Sequence, residues 1–142
     1  FPPPSSSKDA QEFGPTLSPR FDANGLITTG TVDATSHAIL MVAHMNEEAL
    51  EETLAGGYAV YWSRSRQKLW KKGESSGELQ KIAAMYIDCD QDAIVLHVRV
   101  EGRGSASCFY RVVQAEGSEP KLVQVSEPLV SPDALYGAST SA

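Results

Sequence analysis

The segment Asp88-Cys89-Asp90-Gln91-Asp92 gathers three carboxylates and one thiol into five residues. In an extended segment, residues two apart point to the same side, so Asp88, Asp90 and Asp92 would share one face and Cys89 the other. Carboxylates held side by side repel one another unless a cation neutralises them. Hard oxygen ligands suit Mg²⁺ or Ca²⁺, whereas a thiolate prefers zinc or another softer ion. The segment therefore reads as two metal sites, one on oxygen and one on sulfur. It reads equally as an exposed acidic turn between two strands.

A second concentration runs from Trp62 to Gly77, in one-letter code WSRSRQKLWKKGESSG. Five of the twelve basic residues (Arg64, Arg66, Lys68, Lys71 and Lys72) fall between positions 62 and 72. On a strand, Arg64 and Arg66 would present two guanidinium forks on one side, a geometry suited to phosphate. Ser63, Ser65, Ser75 and Ser76 add hydroxyl donors, and Gly73 and Gly77 let backbone approach a ligand closely. Trp62 and Trp70 would either stack on a base or pack in the core. Lys71 and Lys72 also suit a solvated edge. On an acidic chain, a local basic strip favours a small anionic ligand over a nucleic-acid polymer.

The other reactive residues carry less information. His37 falls in an expected turn, His44 ends an apolar run, and His97 alternates with apolar neighbours. None has the His-Glu-x-x-His spacing of a zinc protease. Cys89 and Cys108 are the only cysteines, too few for the disulfide framework of a small secreted domain. Two thiols also fall short of the three or four protein ligands of a zinc site.

The elements that must hold these residues follow from pattern. The 142 residues carry a net charge of −6, with 42% hydrophobic and 21% charged residues. An acidic balance lacks the basic face of a nucleic-acid binder, and no apolar run approaches the ~18 residues of a membrane span. The first twenty residues carry five of the eight prolines, so 1–20 is expected to be an extended or disordered arm. The Phe1 start, without a basic stretch or apolar run, reads as cropped or processed rather than as a signal peptide. A single domain is expected over 21–129, and residues 130–142 are small and polar enough for a loose tail.

Within the domain, Asn24-Gly25 precedes a β-branched run, and Asp33 to Ser36 would turn it into the apolar strand around His37–Met45. Asn46 suits a helix N-cap, Glu47 and Glu48 favour the N-terminal turn, and Gly56-Gly57 offers a left-handed stop. Strands are expected near 58–65, 93–101 and 108–115, with a short one at 121–126, while 79–90 fits either helix or strand. The fold class is α+β and β-rich, a mostly antiparallel sheet with one principal helix at about 46–56.

Taken together, MVAHMNEEAL, YWSRSRQKLWKKGESSG, DCDQDAIVL and SCFYR resemble, in their order, the phosphoribosyl-AMP cyclohydrolase family of histidine biosynthesis. The resemblance covers roughly residues 21–113 and implies hydrolytic opening of the adenine ring of N1-(5-phosphoribosyl)-AMP at the N1–C6 bond. It implies an intertwined homodimer, cytoplasmic, that uses Zn²⁺ and Mg²⁺ and takes a small phosphoribosyl nucleotide, with neither nucleic-acid nor membrane partners. Asp88, Asp90 and Asp92 would hold magnesium; Cys89 and Cys108 would bind zinc, which serves the attacking water. Substrate binding would fall to Trp62, Ser63, Arg64, Ser65, Arg66, Trp70, Lys72, Gly73, Glu74, Ser75 and Ser76.

One departure stands out. Where the family reads Cys-His-Thr-Gly-x-x-Ser-Cys before Phe-Tyr-Arg, this chain reads EGRGSASCFYR. Seven residues, Cys-His-Thr-Gly-Arg-Arg-Ser, placed between Ser107 and Cys108 would restore the family text without changing a letter. The family's third zinc cysteine and its proton-transfer histidine belong to that segment, so no catalytic residue is assigned. The alternative to an active enzyme is an inactive relative that keeps the nucleotide pocket.

Overall fold

A computed structural model describes residues 1–102, 107–117 and 119–127. The expected tail over 130–142 lies outside the described residues. Strand β1 (Ile27–Asp33) turns through Thr35 and Ser36 into β2 (Ile39–Met45), and the two pair antiparallel with Gly30 opposite Val42. The turn forms because the Asp33 carboxylate accepts the N–H groups of Thr35 (2.9 Å) and Ser36 (2.8 Å). Helix α2 (Glu47–Gly56) follows at once. Asn46 caps it by accepting the Ala49 N–H at 2.8 Å, and Gly57 ends it in the left-handed region at φ 78°.

Strands β3 (Val60–Ser63) and β4 (Lys68–Lys71) form a separate hairpin. The segment left open between helix and strand resolves as β5 (Gln80–Ile87), which pairs antiparallel with β6 (Ala93–Val100). The main sheet runs in the order β2-β1-β6-β5. Most neighbours are antiparallel as expected, but β1 and β6 lie parallel, with Gly30 opposite Val95. That pairing makes the sheet mixed: the chain leaves β1, passes through β2, α2, β3, β4 and β5, and returns in the same direction.

One face of this sheet is covered by α2 and the β3–β4 hairpin. Ile27, Met45, Leu50, Tyr61, Ile94, Leu96 and Val98 are all at most 1% exposed there. Burying each such side chain contributes about 1.5–3 kcal/mol. Two polar groups cross this layer with their bonds made. The Tyr61 hydroxyl lies 2.6 Å from Thr31 Oγ1 and donates to Gln80 Oε1 at 2.7 Å. Thr53 Oγ1 donates to the Ala49 carbonyl at 2.8 Å and accepts the Val60 N–H at 3.0 Å, tying helix to strand.

One region differs from expectation. Residues 1–20, read as an extended or disordered arm, contain α1 (Lys8–Phe13), and Gln11 and Ser18 are buried. Proline content misled here, because the side-chain amide of Gln11 anchors the arm to the domain. Near the other end, β7 (Arg111–Gln114) and β8 (Lys121–Gln124) pair as a hairpin whose residues are all exposed.

Candidate functional site

The acidic segment is a turn joining β5 to β6, not an extended strand. Asp88 organises it: its N–H donates to the Ala93 carbonyl at 3.0 Å, and its carboxylate accepts the N–H groups of Asp92 (2.9 Å) and Ala93 (3.2 Å). Gln91 completes the reversal in the left-handed region, at φ 63°. Because the chain curls, the alternation expected of an extended segment does not apply. A carboxylate oxygen from Asp88, one from Asp90 and the Cys89 sulfur all lie within 4.8 Å of one another. The thiol thus joins the carboxylates instead of facing away.

Crowding shows in the protonation of the turn. Burial works to raise the Asp88 carboxyl, but hydrogen bonds from the Asp92 side chain, the backbone of Asp92 and Ala93, and the Asp90 side chain hold it below the ordinary range. Asp92 pays the electrostatic cost: hydrogen bonds shared first with Asp88 and then with Asp90 push it up to about 6. Crowded carboxylates beside an exposed thiol are a donor set suited to a divalent cation. Asp88, Cys89 and Asp90 could hold one cation between them, while Asp92 shares hydrogen bonds with both carboxylates but stands outside that cluster.

The basic strip is split by the fold. Trp62 and Ser63 end β3, Arg64, Ser65 and Arg66 form the hairpin turn, and Trp70 lies in β4. Arg64 and Arg66 are exposed in a turn, so the expected side-by-side display on a strand does not occur. The turn is held by Ser63, whose carbonyl accepts the Gln67 N–H at 2.8 Å while its hydroxyl accepts the Arg66 N–H at 3.3 Å. Gln67 closes it at φ 53°. Arg64 lies close enough to His44 to depress it: burial lowers the imidazole first, Arg64 adds to this, and Asp22 opposes it. His44 Nδ1 is buried with no hydrogen-bond partner among the described residues.

Beyond β4, residues 72–77 make a tight turn in which the Gly77 N–H donates to the Gly73 carbonyl at 2.8 Å. Lys72 is only 5% exposed, with Nζ 5.7 Å from the centre of the Trp70 ring. Burial depresses this ammonium to about 8, and the neighbouring charges of Cys108 and Glu78 pull it back up. Gly73 is obligatory. At φ 82°, a Cβ would sit 2.2 Å from the Glu78 carbonyl carbon and oxygen. Glu74 and Ser75 are exposed at the tip, and Ser76 is half-buried with its hydroxyl accepting the Glu78 N–H at 3.2 Å.

Cys108 is exposed beside this turn, its N–H bonded to the Leu40 carbonyl on the outer edge of β2 at 2.8 Å. Cys89 follows β5, on the opposite edge of the same sheet. Three interstrand steps, roughly 14 Å, separate those edges. Two thiolates on one zinc, each ~2.3 Å from the metal, need to be far closer. One chain therefore brings Cys89 to the carboxylates and Cys108 to Lys72, but does not bring the two sulfurs together.

Reading residues along the chain missed Gln11, Ser18 and Gln91, which support the acidic turn, and Glu78, which faces Lys72. Their partners are 73 or more residues away in the first case, so no local spacing marks them.

Comparison with known proteins places this geometry. Residues 41–110 match the family described as Phosphoribosyl-AMP cyclohydrolase. A Chelativorans protein of that name is 55% identical over 130 residues, covering 87% of this chain and 94% of its own. One from Brucella anthropi is 56% identical over 128 residues, 86% and 91% of the two chains. One from Brucella canis is 53% identical over 133 residues, 89% and 96%. With more than half of its residues identical across nearly the full length of these relatives, the chain belongs to the phosphoribosyl-AMP cyclohydrolase family.

Proposed function

We propose that the protein opens the adenine ring of N1-(5-phosphoribosyl)-AMP by hydrolysis in histidine biosynthesis, as a metal-dependent homodimer. The observation that carries the reading is the convergence of Asp88, Asp90 and the Cys89 thiol within 4.8 Å in a chain of this family. In the reaction, water oxygen bonds to C6, the N1–C6 bond breaks, and N1 leaves with a proton. Asp88, Asp90 and Asp92 would hold Mg²⁺, and Cys89 with Cys108 of a second copy would hold Zn²⁺. A bound zinc supplies a Lewis acid that brings the pKa of water to ~7. Arg64, Arg66 and Lys72 neutralise phosphate, and Ser63, Ser65, Ser75 and Ser76 offer hydroxyl or backbone donors beside them. Trp62 and Trp70 flank the strip with aromatic faces, and Gly73 and Glu74 shape its far turn.

A second copy is supported by what one chain leaves uncovered. Across the open face of the sheet, Val42, Gly30, Val95 and Tyr86 fall in one row, with the three large side chains 39–56% exposed. The β7–β8 hairpin exposes Val112, Val113, Leu122 and Val123. A lone two-stranded hairpin is marginal in water, and apolar patches of this kind mark interfaces. A dimer would also supply what the separation of Cys89 from Cys108 demands.

The missing segment favours one other reading, an inactive relative that binds the nucleotide without opening it. A spectrophotometric ring-opening assay with added Zn²⁺ and Mg²⁺, on protein of verified mass, separates the two. Turnover that Cys89→Ser abolishes, with nucleotide affinity nearly kept, supports the enzyme. Nucleotide binding with no turnover under any metal condition supports the binder, and full zinc-free activity of Cys89→Ser would refute the metal assignment.

A further inference from the structure

We propose that residues 8–20 form a clasp that sets the geometry of the Asp88–Asp92 metal turn, with Gln11 and Gln91 as its positioning residues. The proposal rests on the metal reading of that turn and adds what holds it in shape. Two glutamines, 3% and 5% exposed, mesh between the arm and the turn. Gln11 Nε2 donates to the Asp90 carbonyl at 3.2 Å and to the Ser18 carbonyl at 3.0 Å, and Gln11 Oε1 accepts the Ser18 hydroxyl at 2.9 Å. Gln91 answers from the other side. Its Oε1 accepts the Ser18 N–H at 2.9 Å, its Nε2 donates to the Gln11 carbonyl at 2.9 Å and the Thr16 carbonyl at 3.3 Å, and its own carbonyl accepts the Arg20 N–H at 2.7 Å.

This network does more than fasten an arm. Gln91 sits in the left-handed region, at φ 63°, between two proposed ligands, a conformation that costs a non-glycine residue free energy and needs surrounding support. The bonds to its amide and carbonyl supply that support. The Asp90 carbonyl, bonded to Gln11, fixes the peptide that aims the Asp90 side chain. Buried polar side chains with this many bonds specify one arrangement, because leaving any of them unpaired costs about 1–3 kcal/mol. The arm also walls a cleft of about 300 Å³ against Asp88 and Cys89, lined from its side by Pro15, Thr16 and Leu17. Supports of metal ligands typically change affinity about 10–100-fold when removed.

The test is Mn²⁺ binding, followed by electron paramagnetic resonance on the full chain, with thermal melting alongside. Gln11→Ala removes the arm's contact with Asp90. Gln91→Gly removes the amide while leaving a residue that favours the same backbone. Both are expected to weaken Mn²⁺ about tenfold, with Phe13→Ala, on the exposed side of α1, unchanged. Wild-type affinity in folded Gln11→Ala and Gln91→Gly overturns the clasp, as does equal weakening by Phe13→Ala. A wild-type chain that takes up no Mn²⁺ overturns the metal reading itself, and the clasp's purpose with it. If Gln11→Ala does not fold, hydrogen exchange of the wild type decides. The amides of Ser18, Arg20, Asp92 and Ala93 should exchange as one unit, and arm amides exchanging far faster than the turn would refute the coupling.

Discussion

Replacing Gly73 by alanine tests whether the turn after β4 is held by its backbone. The residue has φ 82°, and an added Cβ would meet the Glu78 carbonyl carbon and oxygen at 2.2 Å and the Leu79 nitrogen at 2.5 Å. Ordinary contact needs more than an ångström beyond that, and the obstacle is backbone, so the turn must move. Left-handed alanine costs about 1–2 kcal/mol, and forcing atoms into packed space about 1–3 more. The sum, about 2–5 kcal/mol, corresponds to a melting temperature lower by roughly 5–15 °C. Gly77 supplies the control. It has φ 83° but nothing within 4 Å of its Cβ, so Gly77→Ala should lose only about 1–2 kcal/mol, the conformational part. Urea melts of both variants give the difference, which isolates the collision with Glu78. Because the turn carries Lys72, Glu74, Ser75 and Ser76, nucleotide affinity should fall with Gly73→Ala and largely survive Gly77→Ala. If the two variants melt alike and bind alike, the close approach of Gly73 to Glu78 does not shape the site.

Three further outcomes follow from charge and exposure. Lys72, depressed to about 8 by burial, is about nine-tenths charged at pH 7 and about one-tenth at pH 9. Nucleotide affinity should therefore fall through about pH 8, and Lys72→Met should flatten that profile in a binding titration. Stability should move the other way: the folded state releases this proton before the unfolded chain does, so the unliganded protein gains stability as pH rises from about 8 towards 10.5. For the dimer, Val113→Asp with Leu122→Asp, paired across the exposed hairpin, should give a monomer by light scattering. That monomer should lose zinc content along with turnover; a dimer that persists would move the interface elsewhere.

Local chemistry made much of this protein legible in its sequence. Asn46 and Gly57 bound the helix because cap geometry depends on one residue at each end, and Asp33 made its turn by bonding two residues onward. The metal turn and the basic strip were found because their residues are adjacent in the chain. Their shapes were not. Asp88 curls its segment by accepting two downstream N–H groups, which defeats the alternation rule and brings Cys89 to the carboxylates. Arg64 and Arg66 fell in a turn because β3 ends at Ser63.

What the sequence alone determined was the set of reactive groups, the family that this set and its order resemble, and the elements whose signals are complete within a few residues. Tertiary structure decided everything that depends on distant partners. It set β1 parallel to β6, tied the proline-rich arm to the acidic turn through Gln11 and Gln91, and put Cys108 across the sheet from Cys89. The physical reason is that caps and turns are closed by neighbours in the chain. Strand order, buried polar networks and the spacing of two thiols are fixed only when segments 70 or 80 residues apart share one core.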